Sequence, residues 1–147
     1  IGEHLNQGFL SAGNEKGLST FNVAPFVSVA MNDDLDAAFD SLRPWIALYV
    51  GGMGARDKNF YFNYATSMGF GDAARKIQDL YLSGKKSEAA AEVPNELLDA
   101  VSLVGSRDRI IDRLQPWKEA GKRNEVGTML LGVHDIKVLE LFAKEML

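Results

Sequence analysis

Two apolar runs constrain this chain more than any other feature. Phe21 to Met31 (FNVAPFVSVAM) and Glu125 to Val133 (EVGTMLLGV) both read as strands. Each is apolar on both faces, the pattern of parallel strands covered by helices on either side. The stretch between them is long, mostly helical in its periodicity and poor in strand signal. Two such strands cannot cover each other's edges and faces. The expected fold is therefore α/β, with this chain forming one piece of a larger sheet protein.

Composition sets outer limits. At 147 residues the chain is long enough to bury one core. Hydrophobic content of 46% and charged content of 24% place it among soluble globular chains. No run of eighteen apolar residues occurs, so no transmembrane helix is expected. No signal peptide is evident. The chain opens on Ile1-Gly2-Glu3-His4 without an initiator Met, and the expectation is that an N-terminal portion is absent. Cysteine is lacking, which excludes disulfides and thiolate chemistry from the segment and fits a cytoplasmic setting. The net charge of -4 and pI near 5.2 come with no basic block, so no nucleic-acid partner is expected. Lys85-Lys86 reads as a pair favoured by a helix dipole.

Along the chain, Gly2 to Ala12 reads as a helix stopped by Gly13 and Asn14. Pro25 lacks a ladder donor and points to an edge or a bulge near the start of the first strand. Asp33 is the expected N-cap of the next helix, with Asp34 and Asp36 in its first turn. Its stripe is Leu35, Ala38, Phe39, Leu42, Trp45, Ile46 and Tyr49. Pro44 should kink it, and Gly51-Gly52-Met53-Gly54 should end it as a flexible loop. Asp57 is the expected cap of a short helix from Asn59 to Met68, broken by Gly69 and Gly71. Helices follow over 72–82, over 85–92 and from Pro94 to Asp99, with Gly84 as a break. Ser102 to Gly105 is a brief strand or a loop. Ser106 caps a helix from Arg107 to Ala120 that Gly121 ends. Asp135 caps the last helix. Helix, strand, several helices, strand, helix reads as two βα units separated by a long helical stretch.

Candidate site residues are few. Gly51, Gly52 and Gly54 would let backbone amides approach an anion. Arg56 and Lys58 would neutralise it near the following helix start. The pattern is neither a Walker loop nor a dinucleotide fingerprint. The competing reading is a hinge with solvated charges. Phe60, Tyr61, Phe62 and Tyr64 suit a flat ligand, but packing in a core or at a subunit interface is favoured. His4 and His134 have no third partner at metal-ligand spacing, so no metal site is expected. Ser106 and Arg107 stand at a helix start that suits a phosphate, with simple capping as the favoured reading. No Ser-His-Asp or paired-carboxylate arrangement is present to argue from.

Taken together, these segments resemble a known family. Tyr49 to Tyr61 (YVGGMGARDKNFY) is similar to the luciferase-like monooxygenase superfamily, in its coenzyme F420 (deazaflavin) dependent branch. The likeness continues through Met68-Gly69-Phe70, Ala73-Ala74, Ile77 to Gly84, Val93 to Glu96, Ser102 to Ser106 and Arg113-Leu114. Asn32-Asp33-Asp34 after a strand fits too. One departure stands out: Gly121 to Thr128 is longer and more polar than the family's usual approach to its last strand.

The resemblance implies the C-terminal portion of a (β/α)8 TIM-type barrel, with a helical insertion over about 51–101. Such a barrel takes about 250 residues. It implies part of an oxidoreductase that transfers hydride between F420 (8-hydroxy-5-deazaflavin) and a small organic substrate, with the cofactor supplying the chemistry. FMN, as in a monooxygenase, is the alternative. Catalytic residues would lie in the missing N-terminal half, so the isolated chain is expected to be inactive. The cofactor- or substrate-binding candidates are Gly51, Gly52, Gly54, Arg56, Lys58, Asn59 and Tyr61. The implied assembly is a homodimer. A non-catalytic assembly module is the reading from a different class.

Overall fold

The computed structural model describes residues 2–12, 16–133 and 135–147. The elements are α1 (Gly2–Ser11), β1 (Phe26–Met31), α2 (Leu35–Gly52), α3 (Phe60–Ala65), α4 (Gly71–Leu82), α5 (Lys86–Ala91), α6 (Asn95–Val101), β2 (Ser102–Gly105), α7 (Arg107–Lys122), β3 (Leu130–Gly132) and α8 (Ile136–Met146). A π-helical turn over Thr66–Phe70 joins α3 to α4. Gly13 and Asn14, read above as a helix stop, and His134, weighed above as a metal ligand, lie outside the described residues.

The strands form one sheet of three, in the order β2-β1-β3. β1 and β3 run parallel, with Phe26 opposite Leu130, Val27 opposite Leu131 and Ser28 opposite Gly132. The parallel character read from the two-sided apolar runs is thus observed. The brief apolar run 102–105 is a strand, buried at all four positions. β1 is the central strand, with β2 on one side and β3 on the other. Three strands cannot close on themselves, and β1, the longest, pairs along both edges.

β1 and β3 are both shorter than their apolar runs. β1 begins only after Pro25, whose ring forbids a ladder donor there. The carbonyl of Pro25 accepts from Leu130 N–H at 2.9 Å, and Val23 O accepts from Gly127 and Thr128. The residues before β1 therefore hold the 125–129 segment without ladder geometry. β3 keeps just Leu130–Gly132, where the sequence suggested nine residues from 125 to 133.

The chain divides into two compact units, residues 1–29 with 108–147, and residues 30–107. In the first, Val27, Val29, Ile110, Leu114, Val138, Leu141 and Phe142 are buried. Phe9 meets Phe21 edge-on at 5.6 Å. α7 and α8 are linked by a half-buried pair, Lys118 and Glu145, 3.2 Å apart. Asp135 caps α8 as expected, accepting from Lys137 N–H at 2.9 Å. α7 runs past Gly121 to Lys122, with Pro116 inside it.

The second unit holds the larger helical core. Ala38, Phe39, Ala47 and Val50 of α2 pack with Ala74 and Ile77 of α4, Ala89 and Ala90 of α5, Leu97 and Leu98 of α6, and Val104 of β2. The small side chains matter here, because they let helix backbones approach closely. The N-cap of α2 is Asp34, not Asp33. Its carboxylate accepts from Ala37 N–H at 3.1 Å, while Asn32 accepts from Asp34 N–H at 2.9 Å. α2 continues unbroken across Pro44. Arg43 fastens it to the α5–α6 turn, donating to Val93 O and to the Asn95 side chain as well as to Asp40. Gly84 has φ of +85° and ends the α4 segment as its sequence position suggested.

α2 does not stop at the glycines. It runs through Gly52, which corrects the expectation of a loop beginning at Gly51. The reason is packing. A Cβ on Gly51 would lie 2.6 Å from Tyr81 Cβ and 3.2 Å from Ile77 O, and one on Gly52 would collide with the Tyr81 ring. Glycine in a helix costs about 1 kcal/mol against alanine, so these two mark the close crossing of α2 and α4. Gly52→Ala should therefore destabilise the chain by about 1 kcal/mol or more through overpacking. In a Tyr81→Ala background the same substitution should stabilise instead, because only the helix-propensity gain remains. Urea unfolding of the four proteins checks that reversal of sign.

Candidate functional site

The predicted site residues all fall in the second unit, around the α2–α3 connection. Their roles divide. Gly51 and Gly52 lie in the last turn of α2 beneath Tyr81, so their amides belong to a helix and not to an anion-binding loop. Gly54 lies against the chain that follows it, where a Cβ would come 3.0 Å from Lys58 O. It permits a tight reversal between residues 53 and 59.

Asn59 is the centre of that reversal. It is fully buried, at 1% exposure. Its amide donates to Tyr49 O at 3.0 Å and Val50 O at 2.9 Å, two carbonyls at the end of α2. Its side-chain oxygen accepts from Phe62 N–H at 3.1 Å, capping α3. One side chain thus satisfies the end of one helix and the start of the next. The expected cap, Asp57, does not take this role. A charged carboxylate there would have no donors to offer the carbonyls of α2.

Arg56 forms an ion pair with Asp79 of α4, both about half exposed. Lys58 is exposed. Tyr61 lies edge-on to Tyr49 at 4.6 Å, and Tyr49 in turn contacts Trp45 at 4.8 Å. Phe60 stacks parallel to Tyr64 at 6.1 Å and meets Tyr61 edge-on at 5.3 Å. Only Phe62 of the four α3 aromatics packs on the core. Phe60 is 69% exposed, Tyr64 50% and Trp45 44%. Of the two packing roles read from the sequence, core or subunit interface, the core accounts for Phe62 and not for most of this cluster. The helix period turns Phe60, Tyr61 and Tyr64 away from the side that Phe62 and Ala65 bury.

Arg56, Lys58 and Tyr61 are exposed at this connection, while Gly51, Gly52 and Asn59 belong to the scaffold beneath. Sequence reading missed Asn59 as a double cap and Tyr81 as the side chain that requires the glycines. Tyr81 stood four residues after Ile77 on the buried side of α4, a spacing visible in the sequence. Gln78 is a third omission: it is buried at 2% exposure, and its side-chain nitrogen has no hydrogen-bond partner among the described residues.

The charge pattern offers no acid–base pair here. Carboxyls held below their ordinary range are Glu119, through its hydrogen bond from Lys122, and Glu125, through its hydrogen bond from Arg123. Both are about half exposed near the end of α7, in the other unit. Their contribution is present above the ordinary carboxylate pKa and fades as pH falls through the lowered values. Among the described residues no cluster of three or more His, Asp or Glu is placed to hold a metal. No helix described is long and apolar enough to cross a membrane.

Residues 1–124 match the luciferase-like monooxygenase family. The chain belongs to that family. Among its relatives is a Mycobacterium tuberculosis protein named as a coenzyme F420-dependent oxidoreductase, 35% identical over 119 residues. The match takes in 81% of this chain and 34% of that protein. The 5,10-methylenetetrahydromethanopterin reductase of Archaeoglobus fulgidus is 24% identical over 99% of this chain and 42% of its own length. In structure, this luciferase-like chain is similar to the coenzyme F420-dependent tetrahydromethanopterin reductase from Methanopyrus kandleri. The TM-score is 0.65 at 22% identity, covering 95% of this chain and 38% of that one. The chain thus spans between a third and just over two fifths of these proteins. Residues 125–147, which include β3 and α8, fall beyond the family match, and the unusual polar approach at 121–128 coincides with that limit.

Two substitutions separate scaffold from surface in this family member. Asn59→Leu removes two donors and one acceptor from buried backbone partners, at about 1–3 kcal/mol for a group left unpaired. It should lower stability by about 3 kcal/mol in urea unfolding. Arg56→Gln breaks an exposed pair and should change stability by less than about 1 kcal/mol. Equal effects from the two substitutions would contradict this division.

Proposed function

We propose that this chain is the C-terminal portion of a deazaflavin-dependent oxidoreductase. The whole enzyme would transfer hydride between F420 and a small organic substrate. The observation that carries this reading is the family match over residues 1–124, joined to a 35% identical relative named as F420-dependent. The parallel sheet supports it, since a parallel strand with a bare edge calls for further strands. In this reading α3 to α6 form an insertion ahead of the last strands, and the missing N-terminal strands complete the sheet. FMN is the alternative cofactor.

The residues at hand do not fit the cofactor by themselves. Gly51, Gly52 and Asn59 are committed to helix packing and capping, and Arg56 to Asp79. Lys58 and Tyr61 remain as exposed side chains. No catalytic step is therefore assigned to this chain. Its proposed contribution is a rigid helical body beside the site, with cofactor contacts supplied from the other part of the protein.

The second reading, a non-catalytic assembly module, draws support from the exposed aromatics Trp45, Phe60 and Tyr64. Large apolar surface of this kind often marks an interface. A homodimer formed through it would be compatible with either reading.

A chimera distinguishes them. This chain would replace the matching third of the M. tuberculosis relative, and F420 binding would be followed by the cofactor's own fluorescence. The expected outcome is saturable F420 binding by the folded chimera and none by the 147-residue chain alone. Binding by the isolated chain would overturn the claim that its contacts come from elsewhere. A folded chimera without binding would overturn the oxidoreductase reading and favour assembly.

A further inference from the structure

We draw no further inference here: the strongest candidate, the exposed aromatic face of α2 and α3 around Trp45, Phe60, Tyr61 and Tyr64, carries none because nothing in the structure shows what covers it.

Discussion

The crossing of α2 over α4 is the constraint on which the helical unit depends. Tyr81 lies directly against Gly51 and Gly52, so the two helix backbones approach closer than side chains would normally allow. That approach brings the end of α2 down onto α4 and sets where α3 must start. Asn59 then completes the junction by bonding both helix ends with one buried side chain. Without the glycines the ring of Tyr81 has no place. Without Asn59 two buried carbonyls and one amide lose their partners, and unpaired buried groups are costly.

This changes the meaning of a glycine-rich, basic segment. Read as a sequence, Gly51 to Lys58 offers amides and cations in the way anion-binding loops do. In the structure the glycines are spent on helix contact and Arg56 on an ion pair with Asp79. Membership of the luciferase-like family makes an oxidoreductase the proposed function of the whole protein. The residues in this chain serve that proposal as scaffold, and the relatives' much greater length indicates where the remaining contacts would come from.

The sequence disclosed the fold's materials better than its junctions. Two-sided apolar runs announced a parallel sheet, because burial on both faces leaves no polar alternation. Helix positions followed from three-four spacing and from caps such as Asp135. What failed were features decided by contacts distant in sequence. Gly51 reads as a helix stop until Tyr81, thirty residues later, is seen to need the space. Asp57 reads as a cap as well as Asn59 does, and only the carbonyls of Tyr49 and Val50 require an amide. Trp45 fits the apolar stripe of α2 yet stands 44% exposed, since periodicity marks a face without saying what meets it. The family resemblance rested on order and spacing along much of the chain, and so it survived these local errors.

The account turns on Gly51 to Asn59 being a helix junction and not an anion site. The most direct test is an NMR titration of the 15N-labelled chain with inorganic phosphate, following the amides of Gly51, Gly52, Gly54, Arg56 and Asn59. The account predicts no saturable shift at Gly51, Gly52 or Asn59, whose amides belong to the packed junction. Saturable, concerted shifts at those positions would contradict it and restore the segment as a binding loop.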